Sequence, residues 1–371
     1  MDDKDLYWIW LSLLPKIGPR RYSELLREFK KPNNIWTASK EELCNVNYIN
    51  SALADIILDE KYKNDANYAI ENIIKNEIDT VCMDDADYPE YLKCIIDPPL
   101  VLYVKGKLKS DEKCIAIVGS RRASSYGIRM ADKIAYDLSC SGLTVVSGMA
   151  SGIDSAAHNA ALRRGNRTIG IMGCGLDIVY PYENRGLMKN IISSGAAVSE
   201  FLPGTPPLPQ HFPMRNRIIS GMSLGVVIVE ANEKSGSLIT ANYALEQGRE
   251  VYAIPGNLSS RNSLGTNKLI REGAKIVTNI EDILEEMRFD DIVNVDRNIE
   301  YRENSQNNMF SGLDENERKI ANELYIEPLH IDKLTEKTGL SMQVINAYLV
   351  TMELKRLVRQ SPGKIFELND T

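Results

Sequence analysis

The sequence predicts a doubly wound α/β fold on a mostly parallel sheet, with a small all-α domain before it and a winged-helix domain after it. Three observations carry this reading. Short apolar runs alternate with amphipathic stretches from about residue 114 to 278, Gly/Ser turns directly follow the apolar runs, and the final stretch pairs short helical segments with an apolar hairpin. Strand and helix in strict alternation require right-handed crossovers, and these give a parallel sheet with helices on both faces.

Taken in order, residues 1–62 read as a helical unit. Leu6 to Leu14 is apolar, Ile17-Gly-Pro-Arg-Arg21 is a turn, and Tyr22 to Phe29 is amphipathic. The Leu14-Pro-Lys-Ile-Gly-Pro-Arg20 segment resembles a helix-hairpin-helix (HhH/SAM-like) turn, which offers backbone amides to phosphate; a packing or protein-contact module fits it equally. Residues 63–287 form the main domain. It opens with a helix at 68–75 and strands at 79–83 and 100–104, which are expected to join the edge of the sheet. Seven strands follow, near 114–118, 143–147, 168–172, 196–199, 225–230, 250–254 and 275–278, with helices between them. Pro203-Gly-Thr-Pro-Pro-Leu-Pro209 interrupts the alternation with an extended loop, because its prolines cannot continue a helix or a central strand. An acidic linker is expected at 288–312. Residues 313–371 then read as a winged helix, with helices near 315–325, 331–338 and 341–355 and a hairpin turning at Ser361-Pro-Gly-Lys364.

Charge and composition narrow the function. The chain of 371 residues carries a formal net charge of -7, which on its own argues against a nucleic-acid partner. Its location reverses that inference. Between Glu281 and Glu315, eleven acids face three arginines, whereas Lys113 to Gly175 holds eight bases against three acids. Six scattered cysteines without a C-x-x-C and three separated histidines predict neither a zinc site nor a disulfide framework. An acidic start and the lack of a long apolar run predict a cytoplasmic protein without a membrane partner.

The strand-end turns carry the chemistry. Gly119, Ser120, Arg121 and Arg122 follow the first central strand, and two guanidinium forks on such a turn suit a polyanion. Ser147-Gly-Met-Ala-Ser-Gly-Ile-Asp154 opens a helix near Ser151 or Gly152 and is expected to present free N–H groups. Asp154 reads as a helix cap and His158 as packing, since no nucleophile or second carboxylate stands beside the pair. Arg215-Asn-Arg217 places two cations around an amide, although an ordinary amphipathic helix start has the same composition. Ser235 and Ser237 read as caps first and phosphate ligands second. No G-x-G-x-x-G with a ribose-binding acid and no G-x-x-x-x-G-K-[ST] occurs, so dinucleotide and P-loop chemistry are disfavoured. No catalytic residue, metal or cofactor is assigned. The winged helix's third helix has no base before Lys355, which favours protein contact or weak DNA contact.

Six segments resemble the DNA-processing protein A (DprA/Smf) family. They are Ala116-Ile-Val-Gly-Ser-Arg121, Val146-Ser-Gly-Met-Ala-Ser-Gly-Ile-Asp-Ser-Ala-Ala-His158, Gly173-Cys-Gly-Leu-Asp-Ile-Val-Tyr-Pro181, Phe212-Pro-Met-Arg-Asn-Arg-Ile-Ile219, Ser235-Gly-Ser-Leu-Ile-Thr-Ala241 and Ala253-Ile-Pro-Gly256. The resemblance spans about residues 85–280 and implies a Rossmann-like domain that binds single-stranded DNA. It also implies loading of the RecA recombinase in natural transformation, a homodimer, and no catalytic turnover. The implied DNA pocket falls on Gly119, Ser120, Arg121, Ser147, Gly148, Arg215, Asn216, Arg217, Ser235 and Gly236, with Arg122, Ser151, Tyr182, Asn184 and Lys189 around it. Tyr182 departs from the family, whose members commonly have a basic residue after Tyr-Pro; Lys189 is a candidate to compensate. Two alternatives are a phosphoribohydrolase-like enzyme, whose P-G-G-x-G-T-x-x-E signature is missing here, and a winged-helix regulator that selects duplex DNA.

Overall fold

The structure, a computed structural model, describes residues 3–285, 313–326, 329–355, 357–361 and 363–368. The linker expected at 288–312 lies outside them. The chain divides into two compact units, 1–293 and 294–371.

The first unit begins with helices α1 (Asp3–Leu13), α2 (Pro19–Phe29), α3 (Pro32–Thr37), α4 (Lys40–Cys44), α5 (Ser51–Leu58) and α6 (Glu60–Lys75). Local capping sets their starts. Pro19 occupies the first turn of α2, a Ser39/Glu42 capping box opens α4, and the Asn50 and Asp59 side chains accept from backbone N–H groups at the starts of α5 and α6. Helix α6 therefore runs straight through the domain boundary expected at residue 62. Its Ala66, Ala69 and Ile73 are buried with Trp10, Leu25 and Ile57, so the helical unit extends to Lys75.

Next come β1 (Asp79–Cys82), α7 (Glu90–Lys93) and β2 (Val101–Gly106), then β3 (Cys114–Val118), α8 (Ser125–Cys140), β4 (Thr144–Ser147), α9 (Ile153–Leu162), β5 (Thr168–Ile171), α10 (Arg185–Ser194) and β6 (Ala196–Ser199). The unit continues through α11 (His211–Gly221), β7 (Gly225–Ile228), α12 (Ser237–Glu246), β8 (Glu250–Ala253), α13 (Leu264–Arg271), β9 (Lys275–Ile276) and α14 (Glu281–Leu284). The strands form one sheet in the order β1-β2-β6-β5-β4-β3-β7-β8-β9. From β6 to β9 it is parallel, and the β1–β2 hairpin adds to the β6 edge antiparallel, as expected for edge elements.

Strand alternation splits the core between the two faces. Ala116, Val118, Val226 and Ile228 pack on the side of α11, α12 and α13, whereas Ile115, Ile117, Val227 and Val229 pack on the side of α8 and α9. The helical unit shares a third cluster with Met149, Met172, Cys174 and Leu176, residues at the carboxyl ends of β4 and β5. It is thereby seated on that edge of the sheet. The Tyr22 hydroxyl, which donates to the Pro98 carbonyl at 2.9 Å, fixes the start of α2 there.

The second unit holds α15 (Glu315–Ile326), β10 (Leu329–His330), α16 (Ile331–Thr338), α17 (Met342–Leu354), β11 (Val358–Ser361) and β12 (Ile365–Leu368). Its sheet order is β10-β12-β11, the winged-helix arrangement. Ile320, Leu334, Ile345 and Phe366 form its core.

His158 on α9 is a core residue. Its Nδ1 lies 2.7 Å from the Thr168 hydroxyl, which itself donates to the Val145 carbonyl, so Nδ1 carries the hydrogen and donates. Burial, assisted by Arg215, lowers its pKa to about 3. The unfolded chain takes up this proton near the ordinary value of about 6.5, the folded chain only near 3. Stability from His158 is thus intact above about 6.5 and is lost as pH falls toward 3, at up to about 1.4 kcal/mol per pH unit. Urea unfolding should show wild type losing stability relative to His158→Gln over that window; parallel pH dependences would refute the assignment. A second prediction concerns Gly195, where an added Cβ would collide with the Thr168 carbonyl. Gly195→Ala should cost about 1–3 kcal/mol in thermal unfolding, and a neutral result would mean that β5 and β6 have room to part.

Candidate nucleic-acid interface

Strand β3 pairs with β4 on one side and β7 on the other, and the helices after β3 and β7 cover opposite faces. At such a switch point the crossovers diverge and leave a crevice beyond the carboxyl ends of the strands. A cleft of about 590 Å³ opens there. Its walls include Gly119, Ser120, Arg121 and Arg122 after β3, Arg215 and Asn216 on α11, Ser235 and Gly236 before α12, and Tyr180 and Phe212.

The strand-end amides are not all free. Glu230, 2% exposed at the end of β7, accepts from the Ser124 N–H at 2.9 Å and from the Ser124 hydroxyl, while its own carbonyl receives the Ser120 N–H at 2.8 Å. Its carboxylate thus occupies the anion position at the start of α8, where a dinucleotide pyrophosphate would sit. Asp154 is a second buried carboxylate that serves strand-end amides. It accepts from Ala150 N–H at 3.3 Å and from the Gly119 and Gly148 amides. The expectation of free N–H groups around Ser147 to Asp154 is corrected at two positions: a buried carboxylate of the chain has taken the Gly148 and Ala150 amides. Glycine caps both α9 (Gly152) and α12 (Gly236) without a side-chain bond; at α12 the Ser237 N–H donates to the Ser235 hydroxyl at 3.4 Å, and Ser235, Gly236 and Ser237 line the cleft.

Arg215 forms the floor. It is 4% exposed, and its guanidinium donates to the Gly148 carbonyl at 2.5 Å, to the Ile171 carbonyl, and through Nε to Asn216 Oδ1 at 3.2 Å. Burial lowers its pKa to about 10 while Asp154 opposes the shift, so it stays charged near neutrality. Desolvation raises the Asp154 carboxyl above its ordinary range, and Arg215 offsets only part of that rise. Gly148 lies directly against both groups: a Cβ there would stand 2.6 Å from the guanidinium and 2.7 Å from the carboxylate. Only glycine permits this approach. Asn216, also buried, donates to the Gly236 carbonyl at 3.3 Å and so joins α11 to the α12 loop.

At the mouth the chemistry changes. Arg121 and Arg122 are exposed, and the Arg121 guanidinium lies 5.3 Å from the centre of the Phe212 ring, which is 5.5 Å from Tyr180. The mouth therefore combines open cations with an aromatic wall.

Several expected contacts fall elsewhere. Arg217 does not line the cleft: its guanidinium is held by Glu200 and by Asp97 at 3.4 Å. The Ser147 hydroxyl is fully buried and donates to the Ile117 carbonyl at 2.6 Å, a strut between β4 and β3. The Asn184 amide donates to the Met149 carbonyl at 2.7 Å and to the Ser155 hydroxyl at 2.9 Å. Gly148 lies behind Arg215, and Ser151 is exposed but outside the lining set. Tyr182 is 66% exposed, and Arg185 donates to its hydroxyl at 2.7 Å and lies over its ring. Lys189 is exposed one turn further along α10. Sequence reasoning missed Arg185, which supplies the cation beside Tyr182 that had been sought at Lys189. It also missed Tyr180, Phe212 and the prolines 207 and 209 in the wall. Phe212, three residues before Arg215, was the available signal.

Away from the cleft, Asp5, Cys82 and Asp85 bring ligand-type atoms within 4.8 Å of one another. Asp5 already accepts from Thr80 and Cys82, Asp85 accepts from the Cys82 N–H and pairs with Lys4, and burial pushes the thiol far above its ordinary range. The cluster is internally satisfied. No helix among the described residues is long and apolar enough to cross a membrane.

Residues 79–288 match the family model of the DNA recombination-mediator protein A, and residues 311–364 match the DprA winged helix domain. The chain is 31% identical to Protein Smf of Synechocystis sp., in an alignment covering 99% of each. It is similar to the X-ray structure of DNA processing protein A from Streptococcus pneumoniae, with a TM-score of 0.65, 35% identity, and coverage of 78% of this chain and 99% of that one. A structure describing the single-stranded DNA binding mode of DNA processing protein A from Helicobacter pylori is similar at TM-score 0.52 and 30% identity, covering 57% of this chain and 95% of that one. The α/β domain, the winged helix and the full-length relative agree, and the chain belongs to the DNA recombination-mediator protein A (DprA/Smf) family.

Proposed function

We propose that this chain binds single-stranded DNA in the cleft at the β3/β7 switch point, shields incoming strands, and passes them to the RecA recombinase in natural transformation, acting as a homodimer. One observation carries the DNA reading. Glu230 and Asp154 accept from amides of the first two strand-end loops, and the cations left open at the cleft are Arg121 and Arg122, set against the aromatic wall of Tyr180 and Phe212. That set fits a polyanion carrying flat bases better than a dinucleotide. The Helicobacter pylori relative's single-strand binding mode supports the same choice.

In this reading Arg121 and Arg122 neutralise phosphates at the mouth, and Tyr180 and Phe212 offer faces to unstacked bases. Arg215 acts from below. Its field reaches the cleft floor while Asp154 offsets its charge, so it shapes the pocket more than it attracts the strand. Tyr182 with Arg185, followed by Lys189, provides an exposed aromatic and two cations along α10 for strand leaving the cleft. Dimerisation would join two such tracks and raise apparent affinity through linkage.

Arg121→Ala should weaken binding of a short dT oligomer and reduce the slope of log K against log salt by about 0.7. Arg217→Ala should lower thermal stability, because Glu200 loses its partner, and leave that slope unchanged. Fluorescence anisotropy at two salt concentrations checks both; an unchanged slope for Arg121→Ala together with a reduced one for Arg217→Ala would invert the site assignment. Competition between single strand and duplex separates this reading from a winged-helix regulator.

A further inference from the structure

The helical unit contains an internal repeat. Leu11, Leu14, Ile17, Tyr22 and Leu25 are buried, and so are Leu43, Val46, Ile49, Ala54 and Ile57, which follow them at one constant offset. In each copy the chain reverses at a residue with positive φ, Lys16 (65°) in the first and Tyr48 (67°) in the second. The next N–H then returns to the turn's start, Ile17 to the Leu14 carbonyl and Ile49 to the Val46 carbonyl, before α2 or α5 begins. The unit is thus a tandem pair of helix-hairpin-helix elements. The second copy escapes a motif search because Asn50-Ser51 stands where the first copy has the Gly18-Pro19 turn signal; the positive-φ residue is non-glycine in both.

The two turns present one surface. Arg21 donates to the Lys16 carbonyl at 2.6 Å and to the Tyr48 carbonyl at 3.3 Å, so a single guanidinium joins them. Arg20 lies 3.7 Å from the centre of the Tyr48 ring, and Lys16, Arg20 and the Tyr48 ring are all exposed. The acid on the neighbouring turn of α2, Glu24, is held by Arg27 and by Asn47. Three cations and a half-exposed aromatic ring, with Arg20 lying on it, therefore stand together without an acid paired to any of the three among the described ion pairs. The surface is also placed on the functional edge of the molecule. Tyr22 ties the start of α2 to Pro98, next to Asp97, which pairs with Arg217 on α11, the helix that carries Arg215 into the cleft.

We propose that this surface is a second DNA contact, separate from the cleft, in which Lys16 and Arg20 bind the phosphodiester backbone beside the exposed Tyr48 ring. Charge complementarity selects the occupant: clustered cations over an aromatic are the chemistry that holds nucleic-acid backbone without reading sequence. The proposal extends the DNA reading of the cleft but does not depend on it, because the two surfaces share no residue.

The test uses the full chain and three labelled probes in fluorescence anisotropy: a dT oligomer just long enough for the cleft, a long single strand and a long duplex. Lys16→Ala/Arg20→Ala should leave the short oligomer unaffected. It should weaken at least one long probe by about fivefold or more and reduce its salt slope by roughly 1.4 to 1.8, and the probe affected identifies the form bound. Lys16→Arg/Arg20→Lys, which keeps the charges, should restore both quantities. Unchanged affinity and slope on both long probes would overturn the proposal, as would an equal loss in the charge-conserving variant. Failure of the cleft reading shows separately, as an Arg121→Ala variant that still binds the short oligomer normally.

Discussion

Buried backbone donors at the carboxyl ends of β3 and β4 must find acceptors, and this chain supplies them from within. Glu230 closes the start of α8, and Asp154 gathers the amides of both loops. Leaving such donors unpaired would cost about 1–3 kcal/mol each, so the two carboxylates lock the loops in one arrangement. The consequence reaches past stability. A fold whose first strand-end loop commonly cradles a cofactor phosphate has that position filled by its own side chain, and the open positive charge of the cleft stands at its mouth on Arg121 and Arg122.

Arg215 follows from this arrangement. A buried carboxylate at Asp154 needs a positive partner, and a guanidinium beneath Gly148 provides one while also donating to two strand-end carbonyls. Removing either member would strand a charge in a low-dielectric site. The pair is close to neutral overall, so the positive field at the mouth comes from Arg121 and Arg122, which remain in water. In the proposed DNA reading, buried and exposed arginines in the same cleft divide the work: one fixes shape, the others attract.

Much of the α/β framework was legible, because β3 to β7 are short apolar runs buried on both faces, most of them followed by Gly/Ser turns, and such runs are local information. The helical unit's true end was less legible. Residue 62 looked like a boundary, yet the Asp59 cap starts a helix whose later alanines pack into the preceding domain. In the site, the Arg215-Asn-Arg217 motif contained an unused clue. Residues two apart on a helix point about 200° apart, so both arginines could not face one cleft. Glu230 and Asp154 were out of reach for a different reason: their partners are set by tertiary contacts, and nothing local distinguishes a cap of its own helix from a carboxylate that serves a distant one.

The same geometry explains why Arg217 belongs to the site without touching it. On one side of α11, Arg215 and Asn216 are bonded to the β4, β5 and α12 loops; on the other, Arg217 is clamped between Glu200 and Asp97, beside the Tyr22 and Pro98 contact that seats the helical unit. Helix α11 is therefore fixed from two directions. A cleft wall held in this way enters binding already ordered, and the conformational cost that a flexible wall would subtract from affinity is met during folding. Among the described hydrogen bonds and ion pairs, the helical unit reaches α11 only through this segment, Tyr22 bonding Pro98 and the adjacent Asp97 pairing with Arg217.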